Sequence, residues 1–316
     1  MPMKSNHLYV ICLLLFTILF FLYPDTCFSG AYNGIKLWLF TVIPSLLPFI
    51  LVTNLILELQ LLPILASWLY PIFRPLLGIT PNGCFPALMG MLSGYPIGAK
   101  NCADLIKNKA ISTKEGQYLL SFVNNPSPMF LTTYLASQCL NCSSFSHLFY
   151  FIILLSSLLC SIIYRIFILK EGFYPSFASY DATTSYTSEK VSIGRAMDQA
   201  ITNGFETMIK IGGYVLFFSI LASLLEYFCH CTPIKCICLA LLEMTTGIHV
   251  LSLQSFSLQI KIILTLACAS LGGLSSVCQT QSVIAGSGLS IKLYIKTKLI
   301  QTMLVLVGTS LFLLTQ

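Results

Sequence analysis

The sequence alternates long apolar runs with short polar or glycine-rich breaks. The longest runs cover residues 8–23, 35–59, 145–169, 204–228 and 289–314. A membrane-spanning helix needs about 20 largely apolar residues, so most of these runs are long enough to cross a bilayer. A further run, 115–140, is interrupted at 124–128. The pattern predicts an all-α polytopic membrane protein with broken helices.

The stretch GMLSGYPIGAK at 90–100 breaks a run that is too short to span. Its flanking arms are each about nine residues, or roughly 14 Å of helix. Two such arms predict a re-entrant helical hairpin at about 84–109, and the arms around Gly272 and Gly273 predict a second at about 258–286. Irregular backbone at this depth must be buried in protein or line a watery cavity. The alternative is a packing turn whose lysine reaches the headgroups.

The two halves of the chain carry the same features in the same order. Asn33-Gly34 and Asn203-Gly204 each open a long run, and a glycine-rich break follows each. We predict an N-terminal transmembrane helix at 1–30, repeat 1 at 31–170, a polar linker at 171–192 and repeat 2 at 193–316. Three crossings per period predict inverted-topology repeats, as in many transporters. This topology places Lys292, Lys296 and Lys298 on the outer side, against the positive-inside tendency.

Composition supports a multi-pass protein of the cell membrane. The chain is 56% hydrophobic and 9% charged, and its mean hydropathy is +0.84, so its polar residues are too few to cover a water-facing surface. The net charge of +6 fits cytoplasmic loops or an anionic solute, and we expect no nucleic-acid partner. The cysteines of 229–238 lack the usual zinc spacing, so we predict no metal and no cofactor. The sequence is compatible with a homo-oligomer.

The breaks supply the candidate binding residues. Backbone N–H groups and a lysine at the first break suit a carboxylate. Polar groups at 124–125 and 275–279 suit a solute or an ion, although 124–128 also reads as a capped proline kink. We place Glu243 in an apolar helix, where an ionisable side chain is a functional candidate by default; otherwise it is an interfacial carboxylate or a partner of a lysine. No serine–histidine–aspartate set is legible, so we do not expect an enzyme. The candidates are Ser93, Gly94, Tyr95, Gly98, Lys100, Asn124, Asn125, Glu243, Gly272, Gly273, Ser275 and Gln279.

Several of these stretches resemble one family. The stretches SGYPIGAK at 93–100, STKEG at 112–116, NNPSPMF at 124–130, LLEMTTG at 241–247 and GGLSSVCQTQSVIAGSGLS at 272–290 resemble the YlbJ-type sporulation integral membrane proteins. That family belongs to the wider nucleoside-recognition (Gate) group. The resemblance implies a protein of the mother-cell membrane that exports a small solute toward the forespore, with dipicolinate the leading candidate. A nucleoside or nucleobase transporter and a non-transporting scaffold in spore assembly are the alternatives.

Overall fold

The computed structural model describes residues 3–170 and 192–314, and this part of the chain is all helical, without a β-strand. The predicted linker at 171–192 lies outside the described residues except for Ser192. The α-helices are α1 (Met3–Leu22), α2 (Pro24–Leu37), α3 (Ile43–Glu58), α4 (Leu62–Leu77), α5 (Cys84–Ser93), α6 (Ile97–Lys107), α7 (Thr113–Leu120), α8 (Ser146–Ile163), α9 (Ile193–Phe228), α10 (Thr232–Leu242), α11 (Met244–Ser252), α12 (Leu258–Leu271), α13 (Gly273–Ile284) and α14 (Ile291–Leu314). Shorter π-helical segments cover Trp38–Val42, Phe130–Cys139 and Tyr164–Leu169, and a 3₁₀ turn covers Ser143–Phe145.

Five helical stretches of the described chain are long and apolar enough to cross a bilayer. They are Pro24–Glu58, Ser143–Leu169, Ile193–Phe228, Leu258–Ile284 and Ile291–Leu314. The expected all-α multi-pass architecture is therefore confirmed. The predicted crossing at 115–140 is not among the five, because helix α7 ends at Leu120 and irregular backbone follows it before the π-helical segment. The inverted relation between the two halves depends on the number of crossings, and it stays a prediction.

Helices α2 and α3 pack along α9, which is continuous over 36 residues. Small residues make the close approach: a Cβ on Gly30 would lie 2.8 Å from the hydroxyl of Ser223, and one on Gly34 would lie 3.0 Å from the backbone of α9. The Trp38 indole donates to the Met208 carbonyl over 3.0 Å. Glu206 and Lys210 form an ion pair of 2.7 Å on the exposed side of α9.

The start of α7 has the first half of a capping box. The Ser112 hydroxyl accepts from the backbone N–H of Glu115 over 3.1 Å, as an N-cap serine does. The Glu115 carboxylate does not return to the cap. It accepts from the backbone N–H and the hydroxyl of Thr80, at 2.7 and 2.8 Å, and so fixes the segment that leads into α5.

The first glycine-rich break forms a hairpin of two short helices. Helices α5 and α6 pack against each other, and both are largely buried. Segment 121–127, which is irregular backbone, lies in direct contact with them. A Cβ on either Gly90 or Gly98 would overlap the carbonyl of Val123. The glycines of this stretch are therefore explained by a second piece of chain passing directly over them.

The second break has a different shape. Helices α12 and α13 do not pack along each other, although they are joined directly at Gly272. Both Gly272 and Gly273 have positive φ, at 78° and 71°, so the chain turns within two residues. In this half the short helices that pack as a pair are α10 and α11, where a Cβ on Gly247 would lie 2.5 Å from the Cα of Ala240.

Candidate functional site

The tip of the first hairpin touches the second break through one side chain. Tyr95 is buried, and its hydroxyl donates to the carbonyl of Ser270 over 2.8 Å. Ser270 lies in the last turn of α12, directly before the break. A Cβ on Gly272 would lie 3.3 Å from the ring of Tyr95. Tyr95 therefore joins the two glycine-rich breaks that the sequence singles out.

A small cavity lies where these breaks meet, and we call it the central cavity. Its volume is about 60 Å³, well below the roughly 300 Å³ of a typical ligand pocket. Five of the twelve predicted residues line it: Tyr95, Glu243, Gly272, Ser275 and Gln279. Ser127, from the break after α7, lines it as well. The broken elements of the two halves thus contribute to one site.

Glu243 does not lie within an apolar helix, and that prediction is wrong. It has extended backbone between α10 and α11 and is the N-cap of α11. Its two carboxylate oxygens accept from the backbone N–H groups of Thr245 and Thr246, at 3.0 and 2.7 Å. The positive end of a helix dipole and two N–H donors stabilise a carboxylate there without a lysine. Among the described residues that line the central cavity, Glu243 is the only aspartate, glutamate, lysine or arginine.

Gln279 lies on the polar side of α13, which faces the same cavity. Its amide donates to the hydroxyl of Ser275, one turn earlier, over 3.2 Å. The Ser276 hydroxyl donates to the Gly273 carbonyl, which belongs to the break itself. Amides and hydroxyls from α13 therefore face the carboxylate of Glu243 across the cavity.

Lys100 does not line the central cavity. It lies on α6, facing α9, and forms an ion pair of 2.8 Å with Asp104 one turn later. It lines a second cavity of about 190 Å³, which we call the vestibule, together with Asp104, Lys107 and Lys210. Gln279 and Ile211 line both cavities. The vestibule therefore adjoins the central cavity, and its charged residues are three lysines and one aspartate.

The vestibule adjoins a more open cavity of about 530 Å³ that shares its three lysines. Glu58, Asp104 and Glu206 also line this outer cavity, so its cations and carboxylates are equal in number. Two of the shared lysines form ion pairs with carboxylates, Lys100 with Asp104 at 2.8 Å and Lys210 with Glu206 at 2.7 Å. Neighbouring carboxylates therefore balance much of the positive charge in these two cavities.

Asn124 and Asn125 do not line the central cavity, and the side-chain amide of each donates hydrogen bonds within the protein. The Asn124 amide donates to the hydroxyls of Thr280 and Tyr294, each at 2.9 Å. The Asn125 amide donates to the carbonyl of Phe122 at 2.7 Å. The two asparagines hold the break after α7 against α13 and α14.

The side-chain oxygen of Asn125 accepts a hydrogen bond from Lys298, a residue that the sequence-based prediction of the site did not include. Lys298, in the middle of α14, is almost completely buried. Its ammonium donates to the side-chain oxygens of Asn125 and Gln301, at 3.0 and 2.8 Å. It also lies 4.9 Å from the ring centre of Tyr95. The signal was present in the sequence: an ionisable residue inside an apolar helix is a functional candidate. The predicted topology groups Lys298 with Lys292 and Lys296 on the outer side of the membrane, and of these three lysines the structure buries Lys298 alone.

Four other predicted residues, Ser93, Gly94, Gly98 and Gly273, allow the close packing of the backbone at the two breaks. Ser93 is completely buried, and its hydroxyl has no partner among the described residues. Gly94 has φ of +83°, and a Cβ there would lie 2.7 Å from the backbone nitrogen of Ser127. Gly98 is closed off by Val123, and Gly273 by the carbonyls of α10. These four positions shape the site and do not line the central cavity.

Comparison with known proteins adds one relative. Over 235 residues the chain is 29% identical to the sporulation integral membrane protein YlbJ of Bacillus subtilis strain 168, an alignment that covers 71% of this chain and 58% of that protein. This chain is a relative of YlbJ. The aligned part thus corresponds to somewhat more than half of the length of YlbJ. No family model matches the chain, and no solved structure matches it. The YlbJ relationship and the five candidate spans agree on a multi-pass membrane protein.

Proposed function

We propose that this chain is a transporter of sporulation that moves a small anionic solute, with dipicolinate the leading candidate, across the mother-cell membrane toward the forespore. The observation that carries the proposal is the central cavity. Broken elements from both halves of the chain meet there, and meeting breaks are where transporters bind their solutes. The similarity to YlbJ, a sporulation integral membrane protein, is the reason for placing this transport in sporulation. We also propose that the chain is not an enzyme and that the lipid bilayer and the solute are its partners.

The lysines that line the vestibule support an anion. The vestibule next to the central cavity carries Lys100, Lys107 and Lys210 against one aspartate. A cleft lined by one sign of charge raises the local concentration of the opposite ion. A dicarboxylate such as dipicolinate would be drawn into this vestibule, whereas a neutral nucleoside would gain little.

A nucleoside or nucleobase carrier is the second candidate, because the central cavity itself is lined by hydrogen-bonding groups without a cation. Glu243, Ser275 and Gln279 offer acceptors and donors of the kind that recognise a base or a ribose. The third candidate is a membrane scaffold. It predicts that the cavity-lining polar residues can be replaced by alanine or leucine without loss of function.

The test compares spores of the parent strain with those of a strain that lacks this chain. Dipicolinate is measured in the spores and, separately, in the mother-cell cytoplasm. We expect empty spores and accumulation in the mother cell. Normal loading of the spores would end the dipicolinate proposal. Uptake of labelled nucleosides and sporulation efficiency of cavity variants then separate the two other candidates.

A further inference from the structure

Lys298 is an unusual residue for its position. Its side chain is 2% exposed in a helix that is apolar enough to span a membrane. An ammonium group buried in a medium of low dielectric constant is costly unless it is paired. Among the described residues, no aspartate or glutamate lies within ion-pair distance of it. Its partners are instead two neutral amide oxygens and an aromatic ring.

These partners leave the charge uncompensated. The Asn125 oxygen is shared, because the Gln301 amide donates to it over 2.7 Å as well. Two amide dipoles and the face of Tyr95 reduce the cost of the ammonium without supplying a negative charge. The cluster of Lys298, Asn125 and Gln301 therefore has the hydrogen-bonding geometry of a prepared site and lacks an anion.

Tyr95 separates this cluster from the central cavity. One part of the residue lines the cavity, and its ring lies against the Lys298 ammonium. Its hydroxyl is held by the Ser270 carbonyl at the end of α12. Displacement of this one side chain would expose the ammonium to the cavity.

The central cavity needs such a change if the solute is an anion. In this structure the cavity is lined by the Glu243 carboxylate and by no cation among the described residues, and its volume is about 60 Å³. An anion entering it would meet a negative charge and too little space. Lys298 is a buried cation whose ammonium lies 4.9 Å from the ring centre of Tyr95, a residue that lines the cavity.

We propose that Lys298 is the charge that binds a carboxylate of the solute, and that Tyr95 covers it in this structure. Asn125 and Gln301 orient the ammonium, and Tyr95 couples its exposure to the contact between the two breaks. This inference rests on the proposed function and names the residue that receives the anion. Lys100 and its neighbours in the vestibule would attract the solute, whereas Lys298 would hold it.

The test uses the full chain, purified and reconstituted into liposomes loaded with terbium ions, whose luminescence rises when dipicolinate enters. Lys298→Gln removes the charge and keeps a hydrogen-bonding amide. Lys298→Arg keeps the charge. The matched control is Lys296→Gln, because Lys296 is an exposed lysine on the same helix. We expect Lys298→Gln to lower uptake roughly tenfold or more, as loss of a charge-assisted hydrogen bond does, with Lys298→Arg intermediate and Lys296→Gln unchanged.

Tyr95→Phe provides an independent arm that leaves the lysine in place. It removes the hydroxyl that bonds to Ser270 and should ease displacement of the ring. We expect dipicolinate to bind several-fold more tightly to Tyr95→Phe, and the gain to vanish in the double variant with Lys298→Gln. Size-exclusion profiles will show whether Lys298→Gln folds. If it does not, Tyr95→Phe alone still tests the covering role, and Lys298→Arg still tests the side chain of Lys298.

The outcomes distinguish failure of the proposed role of Lys298 from failure of the proposed function. If the parent protein takes up dipicolinate and Lys298→Gln does so equally well, Lys298 is not the binding charge and the proposed function stands. Unchanged binding by Tyr95→Phe would likewise overturn the covering role of Tyr95. If the parent protein takes up no dipicolinate, the proposed function fails for this solute and the inference fails with it.

Discussion

The two glycine-rich breaks look alike in the sequence and differ in the structure. At the first, 90–98, the glycines make room for another segment: a Cβ at Gly90 or Gly98 would overlap the Val123 carbonyl. At the second, Gly272 and Gly273 turn the chain with positive φ. At the first break the glycines are required by packing between segments. At the second they are required by the local backbone conformation. The comparison teaches that a glycine pattern locates a break without saying which of the two causes it.

The largest effect is expected at the first break. Gly90→Ala places a methyl group against the carbonyl of Val123, where backbone on both sides must move. Overpacking of this kind costs about 1–3 kcal/mol, and backbone contacts lie at the upper end. The unfolding temperature of the purified protein in detergent should fall by several degrees or more. Gly213→Ala is the control, because a Cβ there has nothing within 4 Å. Equal stability of the two variants would contradict the packing explanation.

The second break should respond through its backbone. Gly272→Ala forces a side chain into the left-handed region, at a cost of about 1–2 kcal/mol, and also brings its Cβ against the Ser276 hydroxyl. Gly286→Ala is the matched control, because Gly286 has φ of +75° and nothing within 4 Å of its Cβ. The same thermal measurement should show a loss for both, slightly larger for Gly272. If Gly286→Ala leaves the unfolding temperature unchanged, backbone strain is not the main cause of the loss of stability in Gly272→Ala.

Sequence reasoning located the breaks and much of the central cavity, since five of the twelve predicted residues line it. Its success came from local chemistry: glycine, proline and polar residues inside apolar runs mark irregular backbone at depth. It could not say that α5 and α6 pack as a pair while α12 and α13 do not, because that depends on contacts between distant segments. Lys298 was missed for a related reason. Its neighbours Lys292 and Lys296 are exposed, and spacing alone did not reveal that Lys298 faces the opposite side of the helix.

The sequence pattern selected Glu243 as an ionisable residue within an apolar helix, whereas in the structure it is the N-cap of α11. The hydrogen bonds of this cap can be tested. Glu243→Ala removes the acceptor for two N–H groups at the start of α11. Loss of an N-cap costs about 0.5–2 kcal/mol, so a fall of a few degrees in unfolding temperature is expected. Glu243→Gln keeps an acceptor and should recover much of the loss. If the two variants are equally destabilised, the carboxylate contributes through its charge and not as a cap.

The smallest effect on stability is expected at Lys100, which is part of the stretch that first drew attention to the hairpin. Its ion pair with Asp104 is partly exposed, and such pairs contribute about 0–1 kcal/mol. Lys100→Ala should therefore leave the unfolding temperature nearly unchanged. Spore dipicolinate should nevertheless fall, because the vestibule loses one of its three lysines. Lys292→Ala, an exposed lysine far along the chain, is the control. Full dipicolinate loading in the Lys100 variant would remove that side chain from the solute path and leave the positive vestibule to Lys107 and Lys210.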